Sequence, residues 1–396
     1  MYRIILVLIL AWLVSCEINK GTLNDPPVAK GSGQPTIINI DDGLILAWQE
    51  PFKGDILLRM SVYRNPKWSA PKTIAKGDDW FVNWADFPAI VANGDELFVH
   101  YLENTDSKGL AYNIMYTVSS DLGDTWTKQK KLHEDTTATE HGFVSAVPYK
   151  DGFYVSWLDG RNTHGNTGNF GLRAAFVSVD GTVTNRAELD NNTCTCCQTT
   201  MTLVNNQPWV FYRNRTEDEI RDIYFTNLTD SGWVTPTSLN PDNWHIAGCP
   251  VNGPVATTYK NTMAIAWFTG ANGDNKVKLK ISDDAGRSFS DEIIVEDIHP
   301  IGRVDVAMDS TKIYVSYMAD REDEASIILK VYNYSGTLLD TEIMIAVSPD
   351  RDTGFPRIAI WREFLIFTWT DIDLMKVKAL SYPLDPNSIM AKSRLY

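Results

Sequence analysis

Four cysteines are the residues of this chain whose type and spacing most directly indicate chemistry. Three lie within four positions of the stretch NNTCTCCQTT, at Cys194, Cys196 and Cys197, and Cys249 follows 52 residues after the last of them. Thiolates bind Zn²⁺ or copper ions in soft, roughly tetrahedral sites, whereas in an oxidising compartment thiols form disulfides. The cluster is therefore a metal site, a redox-active pair or a set of structural disulfides.

The N-terminus indicates the compartment. An unbroken apolar run from Ile4 to Val14 is too short for a bilayer-spanning helix and is typical of a signal peptide. It ends in the letters LVSC, which resemble the lipobox of bacterial lipoproteins, where the cysteine thiol receives a diacylglycerol. An ordinary signal peptide is the alternative. The resemblance implies a signal peptide over residues 1–15, lipidation of Cys16, a lipid-anchored tether over residues 16–34, and a place in the bacterial cell envelope facing the periplasm or the surface.

Export favours disulfides over metal at the cysteine cluster. Processing leaves four cysteines, an even number, in a compartment where disulfides persist. One disulfide from Cys249 to the triplet would join two loops, and the other two cysteines would form a second bridge. Adjacent cysteines such as Cys196 and Cys197 are poorly spaced for one tetrahedral ion. We therefore expect no required cofactor, with Zn or Cu at Cys194, Cys196, Cys197 and Cys249 as the alternative.

The formal net charge of −14 bears on partners. Such a charge argues against nucleic acid and against an anionic lipid surface as binding partners. We expect a monomer that contacts the membrane only through its N-terminal lipid.

A repeat predicts the architecture. A strand-like segment ending in an aromatic residue, such as GLILAW or ELFVHY, recurs seven times at intervals of 50 to 56 residues. The aromatic residues are Trp48, Tyr101, Trp157, Tyr212, Trp267, Tyr317 and Trp369. Each segment follows a shorter strand and precedes two more, and four short strands per unit are typical of a propeller blade. The prediction is an all-β, single β-propeller of seven four-stranded blades over residues 35–396. The outer strand of the last blade would come from MAKSRLY or from PPVAKG.

Two turns carry a family motif. The stretches SSDLGDTW, from Ser119, and SDDAGRSF, from Ser282, match the Asp-box (BNR repeat) S-x-D-x-G-x-[ST]-[WF]. On these motifs and the blade pattern the chain resembles the sialidase (neuraminidase) superfamily over nearly all of its mature length. Asp-boxes cap the turn between third and fourth strands. The resemblance implies a propeller, usually of six blades, which is the alternative count, and the CxCC cluster indicates an atypical branch.

The resemblance also assigns anion-binding residues. Loops between second and third strands, and loops that enter first strands, share one face of a propeller, here called the top face. Arg221, Arg303 and Arg357 lie in these loops or at strand starts on that face. Sialidases bind the sugar carboxylate with an arginine triad, and guanidinium groups suit bidentate binding of a carboxylate or sulfate. Ion pairs with nearby aspartates are the alternative.

Catalytic residues follow from the same resemblance. Sialidases use a Tyr nucleophile polarised by a Glu, and an Asp acid/base. Tyr212 with Glu219 and the acid Asp86 are the candidates here, and Tyr317 and Glu140 are alternatives for the Tyr–Glu pair. Two further top-face residues, Trp84 and Trp244, could stack on sugar rings, with packing of their own loops as the alternative.

Two functions remain open from sequence. The first is an exported, lipid-anchored, sialidase-like propeller that binds or hydrolyses acidic glycans, or binds another small anion, at the channel mouth of the top face. As an enzyme it would be a glycoside hydrolase of the exo-α-sialidase type. The alternative is a non-catalytic surface or periplasmic module that binds metal through the cysteine cluster.

Overall fold

Seven antiparallel sheets form a ring in the computed structural model, which describes residues 25–64, 67–106, 111–163, 168–321 and 324–385. The first strands of successive sheets contact one another around the whole ring, including the last and the first. The predicted all-β propeller of seven blades is confirmed. The predicted signal peptide and Cys16 lie outside the described residues.

The strands follow one another blade by blade. Blade 1 contains β1 (Gly33–Ile40), β2 (Gly43–Phe52), β3 (Asp55–Arg64), β4 (Lys67–Trp68) and β5 (Lys72–Gly77). Blade 2 contains β6 (Ile90–Asn93), β7 (Glu96–Asn104), β8 (Tyr112–Ser119) and β9 (Lys130–Lys131). Blade 3 contains β10 (His141–Tyr149), β11 (Gly152–Asp159), β12 (Phe170–Ser178) and β13 (Val183–Thr193). Blade 4 contains β14 (Thr200–Val204), β15 (Gln207–Arg213), β16 (Ile223–Thr229), β17 (Gly232–Trp233) and β18 (Thr237–Ser238).

The remaining three blades complete the ring. Blade 5 contains β19 (Val255–Tyr259), β20 (Thr262–Thr269), β21 (Lys276–Ser282) and β22 (Ile293–Glu296). Blade 6 contains β23 (Pro300–Met308), β24 (Lys312–Arg321), β25 (Glu324–Asn333) and β26 (Leu338–Val347). Blade 7 contains β27 (Arg357–Trp361), β28 (Phe364–Asp371) and β29 (Lys376–Pro383). Single-turn 3₁₀ helices cover Ala271–Gly273 and Arg351–Thr353. No helix in the described ranges is long and apolar enough to cross a membrane.

The seven repeating aromatic residues all lie on second strands and are all buried. Six of them donate a hydrogen bond from their polar atom, namely Trp48, Tyr101, Trp157, Tyr212, Trp267 and Tyr317. For example, the Trp48 indole donates to Glu50 at 2.7 Å, and the Trp157 indole donates to Asp159 at 2.8 Å. Burial of large aromatic groups with a satisfied polar tip stabilises each sheet against its neighbours. The period found in the sequence is thus the period of the blade cores.

The Asp-boxes are turn caps, as predicted. Asp121 accepts hydrogen bonds from the backbone N–H of Thr125 at 2.8 Å and from its hydroxyl at 2.6 Å. Asp284 accepts the same pair from Ser288, at 2.9 and 2.6 Å. These hydrogen bonds, with the Thr125 hydroxyl first, lower the pKa of Asp121 to about 2. Both motifs lie on the bottom face, away from the loops that carry the candidate site.

Ring closure involves the N-terminal candidate segment. The backbone N–H of Gly31, in PPVAKG, donates to the Met375 carbonyl at 2.6 Å, and Asp25 forms an ion pair with Lys378 at 2.7 Å. The segment lies beside β29 without forming a strand, and in the described part of the chain blade 7 has three strands. MAKSRLY lies outside the described residues.

Candidate functional site

A cavity of about 270 Å³ occupies the central channel. First strands of the blades and the loops that enter them form its wall, and the charged residues in that wall are Asp86, Asp305 and Arg357. The structure therefore places the predicted acid Asp86 and one predicted anion-binding residue, Arg357, in the same cavity wall.

Three first strands, β1, β10 and β23, are bulged near the top face, where a glycine is followed by a residue with positive φ. The N–H of that second residue donates to a side-chain oxygen of the preceding blade; we call this hydrogen bond the bulge contact. The three bulge contacts run from Gln34 to Thr370 Oγ1 (3.3 Å), from Phe143 to Asp86 Oδ1 (2.8 Å) and from Arg303 to Asn252 Oδ1 (2.7 Å).

Glycine is required in two of these bulges. A Cβ atom at Gly142 would lie 1.9 Å from Asp86 Oδ2, and one at Gly302 would lie 2.4 Å from Asn252 Oδ1. Gly302 also has a φ of +92°, which L residues rarely adopt. The missing side chains leave the space in which Asp86 and Asn252 are held.

Asp86 meets a tyrosine and a second carboxyl group at the interface of blades 2 and 3. The Tyr112 hydroxyl lies 3.4 Å from Asp86 Oδ2 and 3.4 Å from Glu140 Oε2. Tyr112 is the first residue of β8, and its ring stacks on Phe81 with centroids 4.2 Å apart. Glu140 immediately precedes β10 and forms a β-bridge with Tyr112. The three polar groups form a continuous chain from the channel wall to the top of blade 3.

Burial sets the acidity of this chain. Asp86 is 2% exposed, and burial, partly opposed by the Phe143 N–H, raises its pKa to about 7. Burial also raises the pKa of Glu140, and burial followed by the two carboxyl charges raises the pKa of Tyr112 well above its usual value. At neutral pH a large fraction of Asp86 is therefore a neutral acid, and Tyr112 keeps its proton.

The predicted partners Tyr212 and Glu219 lie elsewhere. Tyr212 is buried in blade 4, where its hydroxyl donates to Asp190. Glu219 forms ion pairs with Arg215 and Arg221. Within the described ranges neither makes a hydrogen bond or ion pair with Asp86. The alternative nucleophile Tyr317 is also buried, and its hydroxyl donates to Glu296 at 2.7 Å.

Sequence reasoning missed Tyr112 because it considered tyrosines at the ends of second strands. A usable signal was present: Tyr112 begins a third strand on the top face, one blade before Glu140, which had been named as an alternative. Asp86, Tyr112 and Glu140 meet because the β10 bulge at Gly142 lets blades 2 and 3 approach closely.

The three predicted arginines have different partners. Arg221 donates to Glu219 at 2.7 Å and to Cys194 Sγ at 3.4 Å. Arg303 is buried and donates to the carbonyls of Asp350 at 2.9 Å and Gly354 at 3.1 Å. Burial lowers the pKa of Arg303 to about 10.

Arg357 differs from the other two arginines. Its Nε lies 3.3 Å from Asp305 Oδ2, and its side chain is 29% exposed. Of the three, Arg357 alone lines the channel cavity. It is therefore the predicted arginine best placed to meet an anion that enters the channel.

The two predicted tryptophans also differ in their exposure and contacts. Trp84 is partly exposed, stacks on Phe355 at 5.9 Å, and lies under the guanidinium of Arg303 at 5.1 Å. Trp244 is 8% exposed and packs against Arg213 at 4.8 Å and Phe268 at 5.8 Å. The contacts of Trp244 are those of a residue that packs its own loop.

The chain matches the BNR repeat-like domain over residues 49–365. It belongs to the BNR repeat-like family. No curated protein matches it significantly. The fold of this BNR repeat-like propeller, with its two Asp-boxes, is sialidase-like.

Solved structures with similar folds have low sequence identity to this family member. The β-propeller domain of the Trilobed protease from Pyrococcus furiosus is 9% identical, with a TM-score of 0.50, and the match covers 88% of this chain and 95% of that chain. The α-L-arabinofuranosidase of Fusarium graminearum is 13% identical, with a TM-score of 0.48 and coverages of 91% and 96%. The sialidase of Trypanosoma rangeli is 14% identical, with a TM-score of 0.45, and the match covers 76% of this chain and 54% of that chain.

A disulfide connects the top loops of blades 4 and 5 in this BNR repeat-like propeller. It joins Cys196 to Cys249, with Cα atoms 5.9 Å apart, so the predicted bridge from Cys249 to the triplet is confirmed. The predicted second bridge is not formed, since Cys194 and Cys197 are buried thiols whose sulfur atoms lie 3.5 Å apart. The hydrogen bond from Cys197 lowers the pKa of Cys194, while burial raises that of Cys197. Zn or Cu at the cysteines stays a prediction, and with this bridge formed only two of the four sulfurs are thiols.

Proposed function

We propose that this chain is an exported glycoside hydrolase of the sialidase type, which binds an acidic glycan at the mouth of the channel and cleaves its glycosidic bond. The observation that supports the proposal is the contact of Asp86 with a Tyr112–Glu140 pair beside a cavity lined by Arg357. A Tyr–Glu pair with an Asp acid is the set of groups that the sialidase reaction uses.

Asp86 is the general acid of the proposed reaction. A carboxyl group with a pKa of about 7 is matched to proton transfer near neutral pH. Asp86 gives its proton to the leaving-group oxygen as the bond from that oxygen to the anomeric carbon breaks. The resulting carboxylate then removes a proton from the water that releases the sugar.

Tyr112 and Glu140 form the nucleophile pair. Because the pKa of Tyr112 is raised, the phenolate is scarce at neutral pH and the attacking oxygen needs a base. The Glu140 carboxylate, 3.4 Å from the hydroxyl, accepts the phenol proton while the tyrosine oxygen bonds to the anomeric carbon. Glu140 returns that proton when water displaces tyrosine.

Arg357 binds the acidic group of the sugar. Asp305 holds its Nε at 3.3 Å, which leaves the terminal N–H groups for a carboxylate. Trp84, beside Arg303 and Arg351, offers an aromatic ring at the same rim.

The first experiment measures binding of N-acetylneuraminic acid by calorimetry and hydrolysis of its 4-methylumbelliferyl glycoside. Arg357→Ala is expected to weaken binding about 30- to 100-fold, the loss typical of a charge-assisted hydrogen-bonded pair. Arg362→Ala is the matched control, because Arg362 lies in the same blade at the bottom-face turn after β27. Wild-type protein that neither binds nor hydrolyses, or equal losses in both variants, would contradict the proposal.

Export and anchoring form a separate part of the proposal. We expect the full chain to partition with the membrane fraction of a bacterial host and Cys16→Ser to remain outside it, because lipid chains at Cys16 supply the membrane affinity. Equal membrane fractions for both proteins would contradict lipidation without affecting the proposed reaction.

A further inference from the structure

Two histidines and an aspartate meet at the top of blade 3. His133 and Asp135 lie in the loop between β9 and β10, and His141 is the first residue of β10. The two imidazole rings are stacked, with centroids 3.7 Å apart and planes 7° apart, and both are buried. One ligand-type atom from each of the three residues lies within 4.8 Å of the others.

The hydrogen bonds of His141 determine its tautomer. Its Nδ1 lies 3.2 Å from the backbone oxygen of Tyr112, which can only accept, so Nδ1 carries a hydrogen. In the neutral ring Nε2 then presents a lone pair. This atom lies 3.0 Å from Asp135 Oδ2 and 3.8 Å from Asp159 Oδ1. A lone pair facing two carboxylate oxygens is unfavourable unless a proton or a metal ion lies between them.

The surroundings of His133 favour a metal ion over a proton beside His141. It is 1% exposed, yet among the described residues neither ring nitrogen has a hydrogen-bond partner. A buried polar group left unpaired costs about 1–3 kcal/mol. A proton on His141 would give His133 no partner and would place a charge against its face. A metal ion would use the His133 lone pair as well as that of His141.

We propose that His133, His141 and Asp135 bind a divalent transition-metal ion of the class that includes Zn²⁺. Two imidazole nitrogens and one carboxylate oxygen form an established ligand set for zinc, with a fourth position for water. Tetrahedral ligands about 2.0–2.1 Å from zinc lie roughly 3.4 Å apart. Because an imidazole binds a metal in the plane of its ring, one of the two stacked rings must also tilt towards the ion on binding.

Neighbouring groups orient these ligands. The Tyr112 carbonyl fixes the His141 ring, and the Thr137 hydroxyl donates to Asp135 Oδ1 at 3.0 Å. Such outer contacts are usual around metal-binding histidines and carboxylates. Asp159 is held by Arg161 at 2.7 Å and supplies further negative charge. A bound ion would hold in place the loop between β9 and β10, which ends at Glu140.

The test uses the full chain, stripped with a chelator and titrated with ZnCl₂ by calorimetry and with CoCl₂ by absorption. We expect one equivalent to bind, and Co²⁺ to show visible d–d bands without a thiolate charge-transfer band, because the ligands contain no sulfur. His133→Asn and Asp135→Asn should each weaken Zn²⁺ binding at least about 100-fold.

Two control variants separate this site from its alternatives. His100→Asn alters another buried histidine with an unpartnered Nε2 and should leave affinity unchanged. The double variant Cys194→Ser/Cys197→Ser should do the same. Absence of binding to wild type, unchanged affinity in His133→Asn, or loss of binding in the cysteine variant would overturn the proposal. If His133→Asn does not fold, a thiolate band in wild-type Co²⁺ protein would still overturn it. None of these readouts depends on glycan hydrolysis.

Discussion

Two blade interfaces use the same backbone contact with different chemistry. At the interface of blades 2 and 3 the bulge N–H donates to the carboxyl group of Asp86, and at the interface of blades 5 and 6 it donates to the amide oxygen of Asn252. The amide nitrogen Nδ2 of Asn252 donates to the carbonyls of Pro250 and Ile301, each at 3.3 Å. In Asp86 the corresponding atom is the carboxyl oxygen Oδ2, which faces the Tyr112 hydroxyl. The bulge contact therefore needs only one acceptor oxygen. Because an amide oxygen serves the bulge contact equally well, the fold does not require an acid at position 86.

The largest effect is expected when the carboxyl group of Asp86 is replaced by the amide found at Asn252. Asp86→Asn keeps the acceptor for the Phe143 N–H but removes the acid, so we expect a folded protein with hydrolysis reduced about 10²- to 10⁴-fold. Initial rates on the fluorogenic sialoside, with circular dichroism as the check on folding, measure this. Full activity in Asp86→Asn would remove Asp86 from the reaction.

The reverse exchange is the matched control. Asn252→Asp replaces a donor that faces two carbonyls with an oxygen, so we expect a loss of about 2–4 kcal/mol in the free energy of unfolding at neutral pH. The activity of the protein that remains folded should be unchanged. Loss of activity in proportion to Asp86→Asn would show that the two interfaces do not differ as described.

The bulge glycines give a graded series in stability. We expect Gly142→Ala and Gly302→Ala to lower the free energy of unfolding by about 2–4 kcal/mol, because the new methyl group overlaps a buried polar atom. Gly33→Ala is the control, since its nearest contact would be Thr370 at 3.6 Å. Denaturant unfolding of the three variants measures the series, and equal losses in all three would contradict it.

The interface of blades 4 and 5 has a covalent connection. Cys196→Ser should lower the stability by about 2–4 kcal/mol through the larger conformational entropy of the unfolded chain. Cys194→Ser leaves the bridge intact and should have the smaller effect. Thermal unfolding under non-reducing conditions compares them, and the opposite order would assign the structural bridge to another pair.

The acidity of Asp86 also predicts a pH dependence. Its pKa is raised from 3.8 in the unfolded chain to about 7 in the folded protein, so its stabilising contribution is complete below about pH 4 and is lost as the pH rises through 7. Relative to Asp86→Asn, wild-type protein should lose about 2–3 kcal/mol between about pH 5 and pH 8. A pH-independent difference in unfolding free energy would show that Asp86 titrates normally.

Local pattern predicted the blades well because each blade repeats one core. The seven aromatic residues and both Asp-boxes depend on contacts within a blade or between neighbours, and the chain repeats these at a fixed interval. The sequence also placed Asp86 in a loop that enters a first strand, and Asp86 lines the channel cavity. The contact of Tyr112 with Asp86 could not be predicted, because it depends on the space left by Gly142 in another blade.

Repeat spacing does not determine where an arginine side chain points. Arg303 and Arg357 are 54 residues apart, about one repeat, and the sequence assigned both to anion binding on the top face. Arg303, however, lies in the β23 bulge, with φ of 51°, and its side chain reaches the carbonyls of the loop before β27. Arg357 starts an unbulged strand and lines the cavity. A bulge inserts residues that a repeat period cannot reveal.

The bulge contact has an evolutionary consequence. Aspartate and asparagine codons differ by one base, so a single mutation converts the acid at position 86 into an amide whose oxygen can still accept the hydrogen bond from the same N–H. The reverse mutation at position 252 places an oxygen against two carbonyl groups. In a propeller of this kind, a lineage can lose its buried acid in one step with little effect on folding, whereas gaining a second acid requires compensating changes. By single mutation, loss of the buried acid is therefore easier than the gain of a second one.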